Sequence, residues 1–155
     1  MLRFGRVGTC RPAGGYDALA SFDAVTGTYL GNFIANGAGG LDSPWDILFD
    51  ATHAYVPAST SDAVHRYDAV TGAYVDDLVS LDSLPEQLAW ASNGNILIAN
   101  FGGTVDGIME IQTDGTVVGV YSTPEIASPR GVFELPSGNL LVTNGSGVHE
   151  ITRAN

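Results

Sequence analysis

The chain has 155 residues and a mass of 16.1 kDa, and 45% of its residues are hydrophobic, which supports one domain with a real core and excludes wholesale disorder. Twenty glycines against a charged fraction of 15% favour many short strands joined by turns over long charged helices. Six Arg and no Lys stand against seventeen Asp and Glu, a net charge of −11, so there is no basic stripe to neutralise phosphates and nucleic acid is not expected as a partner.

The first segment, residues 1–15, reads "MLRFGRVGTCRPAGG" and carries no strand or helix pattern. Arg and Gly interrupt every apolar stretch in it, so no secretory signal is expected there, although a longer parent protein could be secreted. Cys10 is the sole cysteine, which excludes an intramolecular disulfide and leaves the redox compartment open. No apolar run approaches the ~20 residues of a membrane-spanning helix, so the chain reads as soluble, with its location otherwise undetermined.

From residue 16 onward the chain repeats itself. "FDAVTGTYLGNF" begins at Phe22 and "YDAVTGAYVDDL" at Tyr67, 45 positions later; "IQTDGTVVGVY" follows from Ile111. A second series, "SPWDILFDATHAYVPAS" from Ser43, "LPEQLAWASNGNILIAN" from Leu84 and "SPRGVFELPSGNLLVTN" from Ser128, aligns without a gap, and its prolines Pro44, Pro85 and Pro129 lie 41 and 44 apart. Within each unit, short apolar or alternating runs are separated by turn residues, the pattern of strands.

Taken in chain order, the pattern predicts two strands over Leu19–Asp23 and Thr28–Phe33, then two complete units of four strands, then three strands ending in "VHEIT". The second complete unit has them at 87–91, 96–100, 107–111 and 116–121. Asn93-Gly94, Ser137-Gly138 and Asp114-Gly115 supply the hairpin turns. His53 replaces the turn glycine of the other units and is expected in a loop. Four antiparallel strands per repeat of ~40–45 residues identify an all-β chain of β-propeller blades, with a partial blade over 16–40, blades over 41–80 and 81–123, and an incomplete blade over 124–155. Phe49 and Trp90 occupy equivalent places and are expected to pack between blades; Glu134 takes that place in the third unit without an evident reason.

"SPRGVFELPSGNLLVTNGSGVHEI" and "LPEQLAWASNGNILIANFGG" resemble NHL-type repeats, and the "FDAVTGTYLGNF" segments resemble the outer strands of similar bacterial propellers. The resemblance covers about residues 16 to 155 and implies the fold more specifically than the function, because such propellers serve as scaffolds, receptors and enzymes.

Ligands of propellers bind where the loops lead into the innermost strands. The residues after the three prolines are Trp45 and Asp46, Glu86 and Gln87, and Arg130 and Gly131. Asp46 and Glu86 are candidate calcium ligands, with Asn100 and Asn144, at the ends of the second strands, as carbonyl donors. Calcium-dependent lactonases of the gluconolactonase family, a similar propeller, carry acidic and amide ligands at comparable strand starts. Arg130 argues against a straightforward cation site, and Asn at a strand end equally satisfies turn amides. His65 and His149 recur at matching positions and read as packing or rim residues. No Ser-His-Asp order, phosphate loop or zinc spacing can be assembled.

Three functions follow: a non-catalytic scaffold binding a small molecule or protein, a calcium-assisted lactonase-like hydrolase, or an inactive piece of a larger propeller. Thirteen strands amount to little more than three blades, too few for a ring. A homodimer of six blades is expected, in which Tyr29–Phe33 of one copy pairs near Val148–Ile151 of the other.

Overall fold

A computed structural model describes residues 17–153. The segment 1–15, with Cys10, lies outside the described residues. Thirteen strands fall among them, in four antiparallel sheets in which neighbours in sequence are neighbours in space. The first sheet pairs β1 (Leu19–Phe22) with β2 (Tyr29–Ile34). The second runs β3 (Leu48–Phe49), β4 (His53–Ala58), β5 (Ala63–Asp68) and β6 (Tyr74–Ser80). The third runs β7 (Leu84–Trp90), β8 (Ile96–Phe101), β9 (Gly107–Ile111) and β10 (Val117–Tyr121), and the fourth β11 (Gly131–Glu134), β12 (Leu140–Asn144) and β13 (Gly147–Ile151). This is the all-β arrangement of propeller blades, three and a fraction of them. No described helix is long and apolar enough to cross a membrane.

The repeated dozen residues make one turn twice. Asp23 Oδ1 accepts the Val25 and Thr26 amides at 2.9 and 2.7 Å, and Asp68 Oδ1 accepts those of Val70 and Thr71 at 3.0 and 2.7 Å. A positive-φ glycine, Gly27 or Gly72, then returns the chain into the outer strand. Asn93-Gly94 and Ser137-Gly138 work differently from a two-residue hairpin. Only their glycines have positive φ, at 85° and 87°, and the bonds from Gly94 N to Ala91 O and from Gly138 N to Leu135 O make a type I turn closed by a bulge.

Three cores lie between successive sheets. Leu19 and Ile34 meet Ala54, Val56 and Tyr67; Tyr55 and Val64 meet Leu88, Ile96, Ile98 and Met109; Leu97 and Ile108 meet Val132, Leu140 and Val142. The side chains of each sheet alternate, so each middle sheet contributes to two cores and must be apolar on both faces. Phe49 packs on Phe33 of the preceding sheet at 5.9 Å between ring centroids, and Trp90 meets Tyr55 edge-on at 5.9 Å, which places both between blades.

The gapless alignment of the three inner hairpins fails by one residue. Phe49 pairs with Ala54, whereas Trp90 pairs with Ile96 and Glu134 with Leu140, so the first hairpin has one residue fewer in its turn. Asp50 closes that shorter turn by accepting the Thr52 and His53 amides, both at 2.6 Å. His53 is consequently the first residue of β4, paired with Asp68, and not a loop residue.

Candidate functional site at the mouth of the inner strands

Ser43 and Ser128, which precede Pro44 and Pro129, have φ of 56° and 53°, a left-handed conformation unusual for serine. Both are held by an aspartate one sheet back. Asp17 Oδ1 accepts the Ser43 amide at 2.9 Å, and Asp106 Oδ1 accepts the Ser128 amide at 2.6 Å. These two aspartates set the entry to the inner strands. Their signal was present in the sequence as an Asp two residues before the apolar residue that opens the third strand of a unit, Leu19 or Ile108.

The residues after the prolines tie neighbouring sheets together. Asp46 Oδ1 accepts its own neighbour's amide, Ile47, at 2.8 Å, while Oδ2 reaches the Leu88 amide in the next sheet at 3.1 Å. Gln87 repeats the move one sheet on, accepting the Val132 amide through Oε1 at 2.6 Å. At the third such position stands Gly131, with no side chain to continue the series. Burial pushes the Asp46 carboxyl above its ordinary range in spite of those two amides.

Glu86 is buried and pairs with Arg130, whose Nη1 donates to Oε1 at 2.7 Å. Burial pushes the Glu86 carboxyl up, and Arg130 offsets this only in part because the guanidinium side is half in solvent. The guanidinium also lies 4.2 Å above the Phe101 ring. Trp45, at the corresponding place two sheets earlier, is 49% exposed, with its indole N–H donated to Ser59 Oγ at 2.8 Å. The mouth thus carries an exposed indole and a stacked guanidinium, with its carboxylates turned inward.

Asn100 and Asn144 face the first residues of β9 and β13 in the same register, Gly107 and Gly147. Their surroundings differ. Asn144 Nδ2 donates to the Glu125 and Ala127 carbonyls, both at 3.0 Å, and its Oδ1 accepts from the Ser146 amide and hydroxyl at 3.0 and 2.8 Å and lies 3.2 Å from His149 Nε2. Glu125 belongs to a short 3-10 turn, Pro124–Ile126, in the connection into β11. The connection into β7 is shorter, residues 81–83 between the strands against 122–130 before β11, and has no such turn. Asn100 is fully buried there with neither Oδ1 nor Nδ2 bonded to the protein, and Ser83 Oγ, in that same connection, is likewise unpaired. Asp62, in the turn that opens β5, has φ of 51° and accepts the Leu81 amide through its main-chain carbonyl at 2.7 Å.

The candidate ligands therefore do not form one set. Asn144 is committed to its own loop, both Asp46 oxygens accept backbone amides, and Glu86 with the unpaired Asn100 amide remains. Among the described residues no three His, Cys, Asp or Glu side chains converge. His65 is buried and bonded to Asp77 at 2.5 Å and to Ser61 at 3.2 Å, and His149 sits at the rim, as their matching positions implied. Sequence reasoning missed a second cluster on the opposite rim. Glu110, buried, accepts from Asn93 Nδ2 at 2.9 Å, Asn95 Nδ2 at 2.6 Å, Tyr121 Oη at 2.8 Å and Arg153; Arg153 also reaches Glu134 at 3.2 Å. Glu134 in turn accepts the Ser92 amide and hydroxyl, both at 2.7 Å, which accounts for a glutamate where the other units place an aromatic ring.

No family model and no curated protein matches the chain. Solved structures do. A gluconolactonase from Xanthomonas campestris superposes with a TM-score of 0.68 at 18% identity, over 90% of this chain and 45% of that one. The WD40 β-propeller domain of Doa1 gives 0.64 at 14% identity over 86% and 43%, and the computationally designed Ika4 protein 0.59 at 15% over 90% and 80%. At these identities the likeness is one of fold: the chain is a partial β-propeller, and it spans less than half the length of the gluconolactonase and Doa1 chains.

Proposed function

We propose that the chain is a non-catalytic, NHL-type propeller module that binds a protein or small-molecule partner through the mouth bearing Trp45 and Arg130. The observation that carries this reading is the use to which the polar mouth residues are put. Asp46 and Gln87 hold the next sheet and Glu86 holds Arg130, so these three side chains are engaged in holding the fold. Exposed Trp and Arg are the residue types that anchor partners. A binding panel of sugars, peptides and candidate protein partners should yield a ligand whose affinity falls at least about tenfold, or ~1.4 kcal/mol, in Trp45→Ala and Arg130→Ala. A panel that yields only metal-dependent ester hydrolysis overturns the proposal.

A calcium-assisted lactonase-like hydrolase is the second reading, favoured by the unpaired, fully buried Asn100 amide near the buried Glu86 and by the gluconolactonase among the fold neighbours. Glu86 and Asn100 Oδ1 would supply two oxygens of the roughly six to eight that calcium takes. Calcium should then raise the melting temperature, and Glu86→Gln and Asn100→Ala should each abolish the rise. A melting temperature indifferent to calcium removes this reading.

A further inference from the structure

We propose that a second copy of this chain covers the open face of the β11–β13 sheet with its β1–β2 sheet, closing a two-fold ring of eight sheets. The inference concerns assembly and is independent of what the mouth binds.

The repeat itself shows what that face is built to meet. In the third strand of each unit, one position looks forward to the next sheet: Leu19, Val64 and Ile108, all buried. Three residues on, the strand looks back, and Tyr67, Ile111 and Ile151 share cores with Leu19, Val64 and Ile108 respectively. Two members of the series are left over. Val148 looks forward from the last sheet at 63% exposure, beside Phe133 at 62%, and Phe22 looks back from the first. Phe22 meets Tyr29, itself 56% exposed, with tilted rings, as Tyr67 meets Tyr74, and Tyr67 and Tyr74 are the pair that seats on the preceding connection at Ala38 and Gly39. Phe22 on Val148 completes the series.

The hydrogen bonds agree at the same two ends. Asp46 and Gln87 each accept an inner-strand amide of the following sheet through the side chain, whereas Gly131 has no side chain to accept one. The β1–β2 sheet has neither an inner strand nor such an amide among the described residues. On its other side Ile47, which has no inner strand before it, is served by Asp46 of its own sheet. A sheet without an acceptor and a sheet without the donor are complementary neighbours. The contact is face to face and leaves β2 in place: Tyr29–Ile34 is already paired with β1, and Ile34 is fully buried, so the strand exchange anticipated from strand counting would break an existing sheet.

Sedimentation equilibrium of the full chain should give twice 16.1 kDa, and Val148→Asp should halve that mass. In a Cys10→Ser background, a mixture of Phe22→Cys chains and Val148→Cys chains should form a disulfide-linked pair on mild oxidation, while each variant alone should not. This cross-link reads the contact even if Val148→Asp fails to fold. A single-chain mass, an open series of larger species, or a cross-link of Phe22→Cys to itself would each overturn the proposal.

Discussion

A Cβ built on Gly131 would stand 2.7 Å from Thr143 Oγ1 and 2.8 Å from Gln87 Oε1, so the glycine provides the room through which Gln87 reaches the Val132 amide. Gly131→Ala should displace that side chain and cost about 1–2 kcal/mol, seen as a lower urea midpoint with an unchanged slope. Glu110 sets a larger effect. Burial by itself would raise its pKa, but hydrogen bonds from Asn93, Asn95, Tyr121 and Arg153 outweigh burial and hold it near 2, against 4.5 when free. The folded-state value lies below the unfolded one, so the unfolded chain takes up the proton first as pH falls. This contribution, roughly 3 kcal/mol, is complete above about pH 5 and is lost as the pH approaches 2. Asp46 and Glu86 are shifted the other way by burial and work against it, favouring the fold as they protonate. Denaturation from pH 7 downward should show a net loss that Glu110→Gln, already weaker at neutral pH, reduces without abolishing, because burial of the Asp50 carboxyl is likewise outweighed by hydrogen bonds from Tyr55, Thr52 and His53, which hold it at about 2 as well.

At the scale of the element, the junction between the second and third sheets depends on Trp90. Its ring meets Tyr55, and its indole N–H donates to the Phe49 carbonyl at 3.2 Å. Trp90→Ala should cost about 3–5 kcal/mol, while Trp90→Phe, which keeps an aromatic ring and loses the hydrogen bond, should cost about 0.5–1.5 beyond any repacking; chemical denaturation separates the two. The strands were legible because their apolar runs and turn glycines are local signals: all thirteen were anticipated, and so was the two, four, four, three division. What was not legible depended on turns of unequal length. The missing residue at Asp50–Thr52 moves His53 into β4, and the short connection 81–83, without a 3-10 turn, deprives Asn100 of the carbonyls that Asn144 finds. Likewise Glu134 looked out of place because its partners, Ser92 in the preceding sheet and Arg153 after the last strand, are remote in sequence. The hydrogen bonds that commit Asp46 and Glu86 come from other sheets, at separations of 42 and 44 residues, beyond the reach of a local reading.

For the whole molecule, every sheet is made of strands adjacent in sequence, and every core joins one sheet to the next. Such a chain is close to one-dimensional, with its stability a sum of sheets and of junctions. Loop closure within each sheet is short, so order can spread from whichever junction forms first. The middle junction has a complete four-stranded sheet on both sides, whereas the outer two end in sheets of two and three strands. In the separated chain, native-state hydrogen exchange should therefore be slowest for the amides of β4, β5, β8 and β9 and grade toward rapid exchange at β1 and β13. Loss of structure should then run inward from both ends, so that the pair of complete sheets outlives its neighbours and can serve as the template on which they reform.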